Sequence, residues 1–294
     1  MDYTINVTAQ KKALFDTTLN SPALRVDRVI YNAFNSIVDN KIVGKTTLNW
    51  QTTSGNTTPQ VLVENQAEFN VLKSSLQSTE LTYATSVMLV ESDQHRVEQG
   101  DINHQAVIDD AGVLLQLNEL GVILTGVVRG NLGQDLAKSH SLIASCKTAV
   151  GENLATDTFE NIIKKISNYV DECRLLGIEP TSLIVGNKFF TKLATTFNSG
   201  ATMNVLQWLV MATTLTIYPT SFLDNVGSKK DCLILTTNKQ PNKIQNRFGK
   251  RLWTTKTVTD DKNTNNMYTK VFLSIGGFVA MGGYGGVCKT NILG

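Results

Sequence analysis

Gly44, Lys45, Thr46 and Thr47 follow the order that closes a phosphate-binding loop, so nucleotide chemistry is the first possibility to test. Such a loop needs a glycine five residues before Gly44, so that backbone amides can wrap the phosphates. That position holds Asp39, whose charge repels them. Near the end of the chain, Gly276-Gly277, Gly282-Gly283 and Gly285-Gly286 lack the spacing of a dinucleotide turn, and no helical pattern follows them. They read as points of close backbone approach at a strand end. His95 and His104 lie among Asp93, Glu98, Asp101, Asp109 and Asp110. Neither a two-histidine helical spacing nor a two-histidine, one-carboxylate pattern is present, and the run reads as a solvated face. His140, between Ser139 and Ser141, has no nucleophile elbow or oxyanion loop around it.

Cys146, Cys173, Cys232 and Cys288 include no close pair and read as core thiols in a reducing compartment. Lys239, Lys243, Arg247, Lys250 and Arg251 form a loose basic cluster interleaved with Gln and Asn. Lys243, Arg247, Lys250 and Arg251 are candidates for contact with DNA or an acidic partner, the alternative being a solvated loop. The residues therefore imply no catalytic group, no cofactor and no metal ligand, and the chain is not expected to be an enzyme.

Composition leaves two readings open: surfaces built to touch other protein, or an ordinary soluble protein with a Thr-rich surface. At 294 residues the chain is long enough for a sizeable core. Charged residues make up 18 %, below the usual quarter, while Thr and Asn are common. Surfaces built this way suit contact with other protein, where desolvating charge is costly. A net charge of +2 without a long Lys/Arg block does not mark a dedicated nucleic-acid binder. No signal segment or membrane-length apolar run is evident.

The elements that would position these residues are clearest from Asp157 to Pro219. Asp157 and Glu160 have capping-box spacing, and Phe159, Ile162, Ile163, Ile166, Tyr169, Val170, Cys173 and Leu176 form one helical stripe. Gly177 suits a left-handed cap and Pro180 prevents resumption. Thr181 to Val185 reads as a buried strand closed by Gly186. Asn187 is expected to cap a helix carrying Phe190, Leu193, Ala194 and Phe197 on one face, and another helix runs near Asn204 to Ala212. Leu215 to Tyr218 reads as a strand ending at Pro219.

Elsewhere, residues 1–20 resemble an extended arm, and Ser21-Pro22 starts a short helix. Ile42 to Trp50 and Pro59 to Glu64 read as a Thr-rich hairpin turning at Thr53 to Thr57. It is too poor in apolar residues to stand alone. A helix near Gln66 to Leu76, a strand near Glu80 to Val90 and a long helix over 101–118 follow. The stretch 119–150 stays open between short helix and irregular chain. Asp231 to Thr236, Arg251 to Val258 and Tyr268 to Ala280 read as strands, with a polar turn over Asp260 to Asn266.

This order of elements resembles the major capsid proteins of tailed phages with the Hong Kong 97-type fold. The closest local similarity is Glu160 to Phe197, followed by Ala201 to Pro219 and Tyr268 to Gly286. The resemblance implies an α+β fold with an arm and short helix over 1–40 and an extended loop over 41–65. A peripheral domain with a spine helix would cover 66–150 and an axial domain 151–245, with the strands of 246–294 returning to the peripheral domain. It implies a subunit that self-assembles into the hexamers and pentamers of an icosahedral shell enclosing double-stranded DNA. The partners implied are further copies, a portal, separate scaffolding or decoration proteins, and packaged DNA, with no membrane. The implied location is the virion, after assembly in the host cytoplasm.

Ile42 to Glu64 would then lie across a neighbouring subunit, with Lys45, Trp50, Gly55 and Asn56 as candidate contacts, and helices 187–213 would approach the capsomer axis. Because the chain opens almost directly on the arm, no N-terminal cleavage is expected. No Lys–Asn cross-link is expected either. Two other readings remain: an encapsulin-like compartment with protein cargo, and an α/β enzyme or ligand-binding protein with a pocket near Thr181 to Tyr218.

Overall fold

The computed structural model describes residues 47–55, 72–80, 84–129, 135–137, 141–226, 229–237, 245–254, 258–259, 266–280 and 283–294. Its centre is a five-stranded mixed sheet in the order Lys147–Val150, Gly286–Thr290, Leu233–Thr236, Ser182–Gly186, Thr216–Thr220. The two outermost pairings are parallel and the two inner ones antiparallel. Both faces are covered, and side chains alternate between two cores as the strand period of two requires. Leu183, Val185, Leu233, Leu235 and Val287 pack with the helix Phe159–Leu175. Ile184, Ile234 and Cys288 point the other way, towards Leu120, Ile123, Leu124 and Leu142. Pro219 sits on an edge strand, where its missing N–H costs no ladder bond.

The helix Phe159–Leu175 buries Ile162, Ile166, Tyr169 and Cys173, the expected stripe, and Gly177 has φ +71. Its cap differs by one residue from expectation. Thr158, not Asp157, is the N-cap, because the Asp157 carboxylate is held by Lys165 at 2.7 Å. In the helix Asn187–Thr195, Asn187 is the first helical residue and Gly186 the cap. The cap's hydrogen bond comes from elsewhere in the fold: Asp224 Oδ1 accepts from the Lys188 N–H at 3.2 Å. A Cβ on Gly186 would lie 2.6 Å from that oxygen, so the glycine makes room for the carboxylate. Phe189 is buried in place of Phe190, which is half-buried, and Phe197 lies beyond the helix end, half exposed. The helix Val205–Ala212 carries a complete capping box from Asn204 and Gln207.

A second sheet pairs Ala84–Asp93, Asn266–Ala280 and Gln245–Thr254, with Val258–Thr259 added beside the middle strand. The long helix His104–Thr125 links the two sheets. Its first half packs Ile108, Ala111 and Leu115 on Val90, Val271 and Leu273, and its end enters the central core. Residues 119–125, left open by sequence, continue this helix. Leu120 to Leu124 are all buried there, so one-sided periodicity is lost.

One sequence expectation fails outright. Leu72–Glu80, expected to be helical as far as Leu76, is a strand paired with Thr47–Gly55 over nine residues. Leu72 and Leu76 have helical spacing, but the intervening serines are indifferent to helix, and cross-strand pairing decides. Residues 53–55, expected in the turn, belong to the first of these strands. The expected arm, the first helix, the strand from Pro59 to Glu64 and the turn over 260–265 lie outside the described residues.

Candidate assembly surfaces

Among the described residues, His104 and the four cysteines are held in the interior. His104 is almost fully buried at the start of the long helix, with Nδ1 2.8 Å from Ser92 Oγ and Nε2 2.9 Å from Thr269 Oγ1. Burial lowers its pKa. The imidazole thus ties the helix to two strands of the second sheet. His95 is exposed, with Nε2 2.9 Å from Gln99 Nε2. No group of three His, Cys, Asp or Glu side chains placed to hold a metal occurs among the described residues. All four cysteines are buried thiols; burial pushes Cys173 up to about 12 and Cys146 higher still, so neither is a ready nucleophile.

Of the late glycines, Gly286 permits a close backbone approach. A Cβ on Gly286 would lie 2.2 Å from the Leu235 carbonyl oxygen. Thr47, the end of the phosphate-loop-like sequence, lies in a strand. His140 lies outside the described residues.

The candidate contact residues are placed only in part. Trp50 and Gly55 lie on the hairpin, in register with Gln77 and Leu72, while Lys45 and Asn56 are outside the described residues. Arg247, Lys250 and Arg251 lie on the strand Gln245–Thr254, with Lys243 again outside. Arg247 pairs with Phe278 and Arg251 with Ser274, and the register shifts around Gly249 place Lys250 at an irregularity. Arg247 and Lys250 are thus on a strand where sequence allowed a solvated loop.

Two surfaces stand out as unfinished in a single chain. In the hairpin, every side chain from Lys73 to Ser78 is exposed or half-buried, and Leu76 is 74 % exposed. The second surface is on the helix Val205–Ala212, whose outward side chains Val210 and Met211 are exposed. Beside it a groove of about 390 Å³ opens between this helix and Phe159–Leu175, with Ile166, Val170, Leu209 and Leu215 lining it and Trp208 at its wall. Arg174 on its rim is held by Glu179 at 3.0 and 3.1 Å and by Asp171 at 3.2 Å. That pairing raises the Arg174 pKa and holds Glu179 below the usual carboxylate range. Sequence reasoning assigned no role to Trp208, Val210 or Met211. The signal available was the lack of charge around them.

No protein-family model and no curated protein matches the sequence. Solved structures do match. The capsid of Myoviridae phage XM1 aligns with a TM-score of 0.65 at 13 % identity, covering 86 % of this chain and 88 % of that one. A structure from Gordonia phage Cozz aligns at 0.57 and 11 % identity over 87 % and 85 %. The capsid of an empty GTA particle aligns at 0.57 and 6 % identity over 88 % and 96 %. The chain therefore has a phage-capsid fold. More narrowly, it is the Hong Kong 97-type α+β fold that the order of elements implied.

Proposed function

We propose that this chain is the major capsid protein of a tailed double-stranded DNA phage. It self-assembles into hexamers and pentamers of an icosahedral shell and acts as a structural subunit without catalytic work. The observation that carries the reading is the alignment with the phage XM1 capsid over most of both chains. The hairpin Thr47–Gly55 with Leu72–Glu80 supports it, because a two-stranded ribbon whose described side chains are all exposed or half-buried is marginal in water until a neighbour covers it. Lys45, Trp50, Gly55 and Asn56 belong to that contact. Lys243, Arg247, Lys250 and Arg251 supply non-specific contact with packaged DNA. A portal and separate scaffolding or decoration proteins complete the assembly, which resides in the virion after forming in the host cytoplasm.

Purified protein examined by negative-stain microscopy under assembly conditions tests the reading: closed shells are expected, and small oligomers alone would refute it. DNA inside particles from infected cells is the expected cargo, while protein cargo would move the assignment to an encapsulin-like compartment. Deleting Thr52 to Thr58 should leave the subunit folded, by circular dichroism, and impair shell formation. Shells as abundant and as stable as wild type would refute the role of the loop.

A further inference from the structure

Between Lys192 and Asp224 the sequence contains no charged residue. This stretch is not interior. Phe197, Val210 and Met211 are 49 %, 57 % and 75 % exposed, and Trp208 is half-buried. A helix facing water normally carries charge on its outer side. Charge depletion combined with exposed aromatic and Met side chains is the composition of an interface core.

The same stretch carries a knob and a groove. Phe197 sits on a loop stitched to itself: Asn198 Oδ1 accepts from the Thr202 and Met203 N–H groups at 3.0 and 3.3 Å. The Asn198 N–H in turn donates to the Met203 carbonyl at 2.9 Å. Such a loop loses little freedom on docking. Buried Ile166, Leu209 and Leu215 lie in the groove beside Trp208, with Ser167, Thr213 and Thr214 also lining it, and the one cation on its rim, Arg174, is paired with Asp171 and Glu179. An apolar side chain can therefore enter without stranding a charge. Phe197 bridges to Asn204 at the N-terminal end of the helix Val205–Ala212, whereas the groove flanks the C-terminal end. Eight residues of helix span about 12 Å, which separates the knob from the groove of its own chain.

We propose that Phe197 of one copy seats in the Trp208 groove of the next. The contact joins two different patches, so it is heterologous and closes into a ring when repeated about an axis. This inference rests on the shell-subunit reading and names the contact that builds its rings.

The test pairs Ser199→Cys on the knob loop with Thr214→Cys at the groove, both exposed positions. Oxidised particles of the double variant should give a ladder of multimers on non-reducing gels, absent from either single variant, since the native thiols are buried. Phe197→Ala should raise the concentration needed for assembly about thirtyfold, as truncation of an interface hot spot does. The thermal midpoint of the free subunit should stay near wild type. Particles without cross-links, or Phe197→Ala assembling at the wild-type concentration, would overturn this contact and leave the shell reading intact. Cross-linked dimers from Ser199→Cys alone would also overturn it, by showing a two-fold contact. Wild-type protein that never forms particles would defeat both.

Discussion

Lys289 and Glu172 form an ion pair whose two halves are unequally buried, and that inequality predicts an order of mutant stabilities. Lys289 lies on the strand Gly286–Thr290, its side chain 7 % exposed, with Nζ 2.7 and 2.9 Å from the two Glu172 oxygens and 4.8 Å from the centre of the Tyr169 ring. The Glu172 side chain is 34 % exposed. Glu172→Ala leaves an ammonium in the core facing one aromatic ring, and breaking a buried pair in this way costs about 3–5 kcal/mol. Lys289→Met keeps the apolar stem, and the stranded carboxylate can turn to water, so about 1–2 kcal/mol is expected.

In the double variant no buried charge remains, and its stability should fall close to that of Lys289→Met alone. The coupling energy is then the whole cost of Glu172→Ala, about 3–5 kcal/mol. In thermal unfolding of the free subunit, Glu172→Ala should lower the midpoint by about 10 °C and Lys289→Met by about 4 °C. Equal losses, the reverse order, or additive losses in the double variant would refute the reasoning.

His104 predicts a pH dependence. Burial lowers its folded pKa, so its contribution is fully present above the unfolded value near 6.5 and is lost as pH falls through the folded value. Urea unfolding of the free subunit should therefore weaken with acid, by up to about 1.4 kcal/mol per pH unit from this group. His104→Gln should flatten that dependence, and parallel curves would refute it. Gly286→Ala would place a methyl 2.2 Å from the Leu235 carbonyl oxygen. It should cost about 3 kcal/mol or more by overpacking. Gly177→Ala meets nothing within 4 Å and pays only for its φ of +71, about 1 kcal/mol. Similar midpoints for the two variants would show that the close approach at Gly286 is not a constraint.

Local rules carried much of the fold. The stripe from Ile162 to Cys173, the left-handed turn at Gly177, the Asn204 cap and the buried strand Ser182–Gly186 each follow from residues a few positions apart. Where local signals competed with distant ones, sequence misled. The strand Leu72–Glu80 takes its state from Thr47–Gly55. Asp157 leaves its expected cap for Lys165, and Asp224 crosses from 36 positions away to cap Lys188.

The sequence by itself determined the apolar stripe from Ile162 to Cys173, the left-handed turn at Gly177, the charge-free run between Lys192 and Asp224, and an order of elements resembling a capsid fold. Period and cap chemistry act within a turn or two of chain, so they are legible in one dimension. Only the tertiary structure decided that His104 joins three elements, that Lys289 meets Glu172 across the core, and that Phe197 and the Trp208 groove stand at opposite ends of one helix. Those relations depend on which faces pack together, and packing is settled by the whole set of buried surfaces at once.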